Sequence, residues 1–346
     1  MTTAAVIGGG IGGLALAGFL DAQGWNVEVF ERAPALPATG TALGMWPEAM
    51  DVLNRLGAGA RVRELGHPQE VAEIRDGAGR ALGPRIRAKG ATVILSRPRL
   101  LETLAEHAPG IEFGSTVGDP GSLDHDVVIG ADGIHSATRT VVAGRRIEPR
   151  PLAAEVVIGR CPGSTESFTE YWGPDRLFGV TPRDGGFINW YSEFRPEAVA
   201  DDAPDPDADP VGFLERVYDG WAPRVLDTIG RIDTESVFHY RVREMPRLHR
   251  ITRGRFALIG DAAHAMTPNL GRGACETLLD AAALAESLGP ASTADVPAAL
   301  ARYQRLRMRA AQRTALASHV MFRLALARRG QFPRDLLLRP LGRILG

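Results

Sequence analysis

The first thirty-one residues alternate between apolar runs and glycine. Residues 4–7 form a short apolar strand, 11–23 keep apolar positions over a helical length, Gly24 stops them, and 26–31 make a second strand. That order predicts a β-α-β unit whose start is a buried strand; it lacks the basic stretch and long apolar run of a secretory leader. Beyond it, 34–44 is rich in glycine, proline and small residues and predicts a loop, and 47–56 has helical spacing ended by Gly57 and Gly59. Residues 71–93, punctuated by Gly77, Gly79, Gly83 and Gly90, suit hairpins; 98–107 suits a helix; 126–131, 156–194 and 255–260 are strand-like. Residues 273–288 and 298–329 predict two helices, and no repeat of solenoid length is present.

At 346 residues, and about 150 residues per domain, roughly two domains are expected. Composition is that of a globular protein, with 45% apolar and 23% charged residues. A formal net charge of -1 removes the case for a nucleic-acid partner, which needs a concentrated basic excess. Lys89 is the sole lysine, so Schiff-base chemistry is excluded almost everywhere. Cys161 and Cys275 are far apart, which argues against a disulfide framework or a cysteine metal site and favours a reducing cytoplasm. No apolar run is long enough for a membrane helix, so stable membrane insertion is not expected.

Two local biases change the picture. Phe168, Tyr171, Trp172, Phe178, Phe187, Trp190, Tyr191 and Phe194 concentrate aromatics in one region, as antiparallel strands with a binding face would. The arginines of 298–329 predict a solvated face on a packing helix. The acidic, proline-rich stretch 201–210 predicts a surface loop without chemistry.

Gly8-Gly9-Gly10-Ile11-Gly12-Gly13 fits the dinucleotide pattern: Gly8 for the tight turn, Gly10 for close approach of a pyrophosphate, and Gly13 for helix–strand packing, with Ile11 opening the helix. The helix N-terminus then faces the phosphates. Glu31, followed by Arg32, ends the next strand where a carboxylate accepts from ribose hydroxyls. A ligand-free turn would explain the glycines but not the acid in register.

A second cluster runs from Gly260-Asp261 through Ala262, Ala263, His264, Pro268, Asn269, Gly271, Arg272 and Gly273, with Asp280 further on. It resembles the flavin-ribityl motif of class A FAD-dependent flavoprotein monooxygenases, the para-hydroxybenzoate hydroxylase-like superfamily. Gly130-Ala131-Asp132-Gly133 through Arg139 resembles that family's Asp-Gly motif, and Ser96-Arg97-Pro98-Arg99-Leu100 its arginine-bearing helix start. The resemblance covers roughly residues 4 to 300 and implies an α/β fold: a Rossmann-type FAD-binding domain interleaved with a mainly antiparallel β-sheet substrate domain, plus C-terminal helices. The expected division is 1–65, 94–150 and 250–296 for FAD, 66–93 and 151–249 for substrate, and 297–346 as a helical segment.

The resemblance further implies that Asp261 binds ribityl hydroxyls, that Arg97 approaches FAD with Arg99 as its rival, and that Asp132 sits where FAD and NAD(P)H are both served. Pro268, Gly271, Gly273 and Ala274 would bring helix-terminal amides to the flavin pyrimidine edge. NADPH or NADH would reduce FAD, oxygen would add to give a C4a-hydroperoxyflavin, and one oxygen atom would pass to a small, aromatic or polyketide-like substrate. The partners are then that substrate and molecular oxygen, in a monomer or homodimer. His264 is assigned to the flavin-supporting turn and not to acid–base work. For substrate contact the polar groups of the aromatic region, Arg183, Asn189, Tyr191 and Tyr240, are candidates, with His239 as a base for a phenolic proton. The family often has an Asp near Arg243-Glu244-Met245-Pro246, which puts contacts there in doubt. The rival readings are a flavin reductase of the same fold and a flavin-binding protein without turnover. Halogenation and disulfide reduction are disfavoured: the former lacks its channel lysine and tryptophan motif, the latter its cysteine pair and second dinucleotide fingerprint.

Overall fold

Residues 2–291 and 295–328 are described by the structure, a computed structural model. Residues 329–346 of the expected C-terminal segment, Arg329 included, lie outside the described residues.

Two sheets organise the chain. In the first, Phe256–Leu258, Val127–Gly130, Thr3–Ile7, Asn26–Glu31 and Ile111–Phe113 run parallel in that order, and Thr252–Arg253 adds an antiparallel edge. Its central strands are apolar throughout because helices cover both faces of a parallel sheet. The helix Ile11–Ala22 is buried on nearly every side. Gly12 explains how: a Cβ there would lie 2.4 Å from Thr277 Cγ2, so the glycine lets this helix meet the helix Gly273–Leu288 closely.

The second sheet has eight strands, in the order Phe238–Glu244, Arg150–Pro162, Phe187–Phe194, Arg176–Pro182, Phe168–Gly173, His67–Asp76, Ile86–Ser96 and Ala42–Met45. All neighbours are antiparallel except His67–Asp76 with Phe168–Gly173. The end of the stretch expected as a loop, 42–44, therefore belongs to an edge strand, Ala42–Met45. Gly57, at φ 91°, does end the helix Pro47–Leu56, but Gly59 opens another short helix instead of terminating the first.

This sheet is strongly curled. Five strand spacings of about 4.8 Å, roughly 24 Å, would separate Phe187–Phe194 from Ala42–Met45 in a flat sheet. Asn189 Oδ1 nevertheless accepts from the Ala42 amide at 3.0 Å, closing the trough across its concave side. Half of the eight aromatics face away from that trough. Tyr171, Phe178, Trp190 and Phe194 pack with Tyr218 and Trp221 against the helices Pro210–Val217 and Pro223–Ile229. The aromatics expected on one binding face are thus split, half of them building a second hydrophobic core whose helix is anchored by Asp209 capping the Gly212 amide.

The long helix Val296–Ala325 joins the two layers. Thr267 and Ser318 bond reciprocally, and Phe322, Ala325 and Leu326 cover Val156, Trp172 and Leu177 at one end of the trough.

Candidate active site

Register brings the motifs together. Ile7, Gly130 and Leu258 are adjacent in the parallel sheet, so the turns that follow, at Gly8, at Ala131-Asp132 and at Gly260-Asp261, share one edge at the carboxyl ends of neighbouring strands. Open α/β sheets bind ligands at this edge.

The glycines there differ in kind. Gly8 has φ +109°, and a Cβ would meet Ala131 O at 2.4 Å; at Gly13 it would lie 1.9 Å from Gly8 O. Both are demanded by the protein's own backbone. Gly10 has no atom within 4 Å of its Cβ position and an ordinary backbone conformation, so its missing side chain leaves space to something outside the protein. Glu31 shapes the same turn, accepting from the Gly9 amide at 2.7 Å and the Ala33 amide at 2.8 Å. Each carboxylate oxygen keeps a further lone pair for a hydroxyl. The Arg32 side chain beside it is exposed.

Asp132 uses Oδ2 to accept from the Thr138 amide and hydroxyl, at 3.1 and 3.0 Å, while its Oδ1 is buried and unpartnered. Arg139, from the same motif, is buried and donates to Ala262 O and Ile134 O, tying this loop to the Asp261 turn. Asp261 makes no side-chain hydrogen bond among the described residues; it is reached by solvent yet hemmed in, as on a cleft wall. That confinement raises its pKa, against the pull of His264 and Arg97. Arg97, exposed, opens the helix Arg97–Ala105, whose first residues are fixed by Asp184 accepting from the Ser96 amide and hydroxyl. An open glycine, an orphaned buried carboxylate oxygen and a free Asp–Arg pair along one edge fit a diphosphate-linked, polyhydroxylated cofactor.

Behind Asp261 lies a buried ionic network that the motif alone did not disclose. Asp280 Oδ2 accepts from the Gly260 amide at 2.9 Å and meets His264 Nε2 at 2.5 Å; Arg307 Nε donates to Oδ1 at 2.7 Å. Arg307 also reaches Glu276, which pairs with Arg272, and Arg272 pairs with Glu48. Burial opposes the charge on Asp280, but His264 and Arg307 hold its pKa below the usual carboxylate range; Asp280 in turn raises that of His264 against burial. His264 is therefore occupied in positioning the turn. Pro268–Leu270 and Gly271, at φ +60°, lead into the N-terminus of Gly273–Leu288, where neither Gly271 nor Gly273 has an atom near its Cβ position and Ala274 is half-buried.

The chain matches the FAD binding domain family over residues 1–113 and 113–318. The aurachin C monooxygenase/isomerase of Stigmatella aurantiaca is 30% identical over 332 residues, spanning 88% of this chain and 85% of that protein. The FAD-dependent urate hydroxylase of Klebsiella oxytoca is 29% identical over 316 residues, spanning 82% and 80%. The crystal structure of Klebsiella pneumoniae HpxO complexed with FAD and uric acid shares the fold, with a TM-score of 0.88 at 24% identity over 99% of this chain and 95% of that one. The chain belongs to the para-hydroxybenzoate hydroxylase-like class A flavoprotein monooxygenases. It is an FAD-dependent monooxygenase.

The substrate candidates divide by strand parity. Directly paired residues of antiparallel strands share a face, so Asn189, Tyr191 and Glu193 lie with Glu170, Thr181 and Tyr240 on the concave side. Asn189 gives its Oδ1 to the Ala42 amide, and Tyr191 donates to Glu170 at 2.5 Å. Tyr240 is exposed, with Glu193 nearby. Arg183 stands by the strand end, near Asp184, Arg160 and Asp233. His239 must be corrected: it shares the opposite face with Val157, and its two ring nitrogens sit 3.2 Å from Asp207 and 3.1 Å from Glu155. Both neighbours are carboxylates, and neither faces the trough. His239→Gln should leave kcat within about twofold and cost about 1 kcal/mol of stability; a hundredfold fall in kcat would restore it as the base.

Sequence reasoning missed Glu193, which is 2% exposed and projects from a strand central to the trough. Its Oε2 accepts from Asn269 Nδ2 at 2.5 Å, joining the sheet to the Pro268–Gly271 turn. Burial, with Glu170 adding to it, pushes its carboxyl up to about 8. The one signal available was an acid in an otherwise apolar strand, Phe187–Phe194.

Proposed function

We propose that this enzyme uses NADPH or NADH to reduce bound FAD and places one atom of molecular oxygen on a small aromatic or polyketide-like substrate, the other atom leaving as water. The observation that carries this reading is the Asn269–Glu193 hydrogen bond. It sets the turn that opens Gly273–Leu288 directly against the concave face of the eight-stranded sheet, so cofactor edge and substrate wall are neighbours.

FAD, when bound, supplies the electron transfer and oxygen activation. The chain's residues do the rest. The Gly8–Gly13 turn and its helix N-terminus hold the pyrophosphate, Glu31 takes ribose hydroxyls, and Asp261 with Arg97 and the spare oxygen of Asp132 line the middle of the cofactor. The amides of Gly273 and Ala274 face the pyrimidine edge, where a sixteen-residue helix favours negative charge. The trough wall orients substrate and excludes water, which preserves the activated oxygen for transfer. NAD(P)H docks transiently, since one dinucleotide fingerprint is present. The domain division expected from sequence is kept as part of this reading, with 42–45, 94–96 and 150 moved to the substrate sheet. That relatives are named for oxygenating small ring compounds, urate among them, supports the class of substrate.

The test is a screen of aromatic compounds for stimulated NAD(P)H oxidation by the yellow protein. The expected result is a stimulation of roughly tenfold or more with a product heavier by one oxygen atom. NAD(P)H consumption yielding only peroxide, or product without added oxygen, would overturn the reading.

A further inference from the structure

Three polar atoms on or beside the concave face are buried and unpartnered: Glu193 Oε1, Asn269 Oδ1 and Thr181 Oγ1. Thr181 pairs with Asn189 in register and so shares the face of Glu193. Buried polar groups in native proteins are nearly always satisfied, so three left over together call for a water, an ion or a ligand.

The neighbours decide which form Glu193 takes. Glu170, Tyr191 and Tyr240 share its face of the sheet, and Tyr191 is held protonated by burial. Among the described residues Arg195 is the cation that pulls on it, and that guanidinium is engaged with Leu326 O and beside Asp175. Glu193 is therefore a neutral acid at neutral pH, with Oε2 accepting from Asn269 and Oε1 free to carry a proton outward. Asn269, having donated Nδ2, offers Oδ1 as an acceptor.

We propose that Glu193 and Asn269 form the specificity clamp of the substrate site, a donor and an acceptor side by side that take an uncharged ring edge bearing a carbonyl next to an N–H or O–H. This rests on the reading of the trough as the substrate site. A cyclic amide or hydroxy-carbonyl ring satisfies both atoms at once. A carboxylate finds one donor at this pair of atoms, and faces Glu170.

The experiment uses the flavin-loaded enzyme and two probes on one ring frame: carbostyril, a neutral lactam, and quinaldate, a carboxylate. Binding is read from the flavin absorbance. Wild type should hold carbostyril at least about tenfold more tightly than quinaldate, and Glu193→Leu should lose about ten- to a hundredfold in carbostyril affinity. Glu193→Gln keeps a donor and an acceptor in place of the neutral acid, so it should stay within about threefold of wild type and lose the weakening that wild type shows above pH of about 8. A Gln variant as poor as the Leu variant, or a preference for quinaldate, overturns the proposal.

A ligand-free readout guards it. A carboxyl whose pKa is raised in the folded state loses stability as pH rises between its unfolded and folded values, so the Tm of Glu193→Gln should climb relative to wild type from pH of about 5 to about 8. Parallel curves would refute the neutral acid. If Glu193→Leu binds carbostyril like wild type while wild type still oxygenates substrates, this inference fails and the proposed function stands. If the Tm difference appears but no compound stimulates oxygenation, the function fails instead.

Discussion

Gly10→Val should purify folded and colourless. A Cβ here has no protein atom within 4 Å, so a valine side chain starts into open space, and the backbone at φ -82° and ψ -172° accepts any residue. Loss of the glycine at this N-cap costs on the order of 1 kcal/mol. What the side chain does occupy is the space through which a pyrophosphate approaches the helix N-terminus, and FAD affinity should fall by about a thousandfold, roughly 4 kcal/mol. Gly13→Val gives the contrast. Its Cβ would stand 1.9 Å from the backbone oxygen of Gly8, which cannot move aside as a side chain could, so the turn itself must break. That variant should be largely unfolded, by circular dichroism, whether or not flavin is supplied. A Gly10→Val protein as yellow as wild type would remove the cofactor from this turn.

How much of this was legible beforehand depends on the range of the interaction. The glycine turn, the strand that ends in Glu31 and the helix after Gly273 are local, and local rules find them: an apolar strand, a turn only glycine permits, a helix of the right length. The meeting of Gly8, Asp132 and Asp261 follows once the strands are parallel neighbours, because the three turns sit at the same strand ends. Parity defeated the substrate assignment. His239 and Tyr240 differ by one residue, and in a strand one residue decides between opposite faces. Composition misled in a similar way: aromatics fit a binding face and a second core equally well, and only the helices at 210–229 show which was built. Glu193 escaped because its chemistry comes from Asn269, 76 residues away, and from a fold that buries both.

The arginine-rich helix holds the other large expectation. Arg305, Arg309 and Arg313 face solvent, as amphipathic spacing predicts. Arg307 does not: it points between Asp280 and Glu276, whose side chains are 0% and 4% exposed. Removing one member of a buried ionic group leaves the others uncompensated, at about 3–5 kcal/mol. Arg307→Met keeps the length and apolar stem of the side chain while deleting its charge, so nearly all of that cost should appear, lowering Tm by roughly 10 °C. Arg309→Met, on the solvated side, should change stability by less than about 0.5 kcal/mol. The effect should also reach the cofactor. Asp280 holds the amide of Gly260, a residue at φ +59° whose Cβ would strike Thr277, and Asp261 follows it directly. An Asp280 deprived of Arg307 holds that left-handed turn less firmly, so Arg307→Met should release flavin more readily at temperatures where the chain is still folded. Equal Tm values for the two arginine variants, with equal flavin retention, would show that the network stabilises neither the fold nor the Asp261 turn.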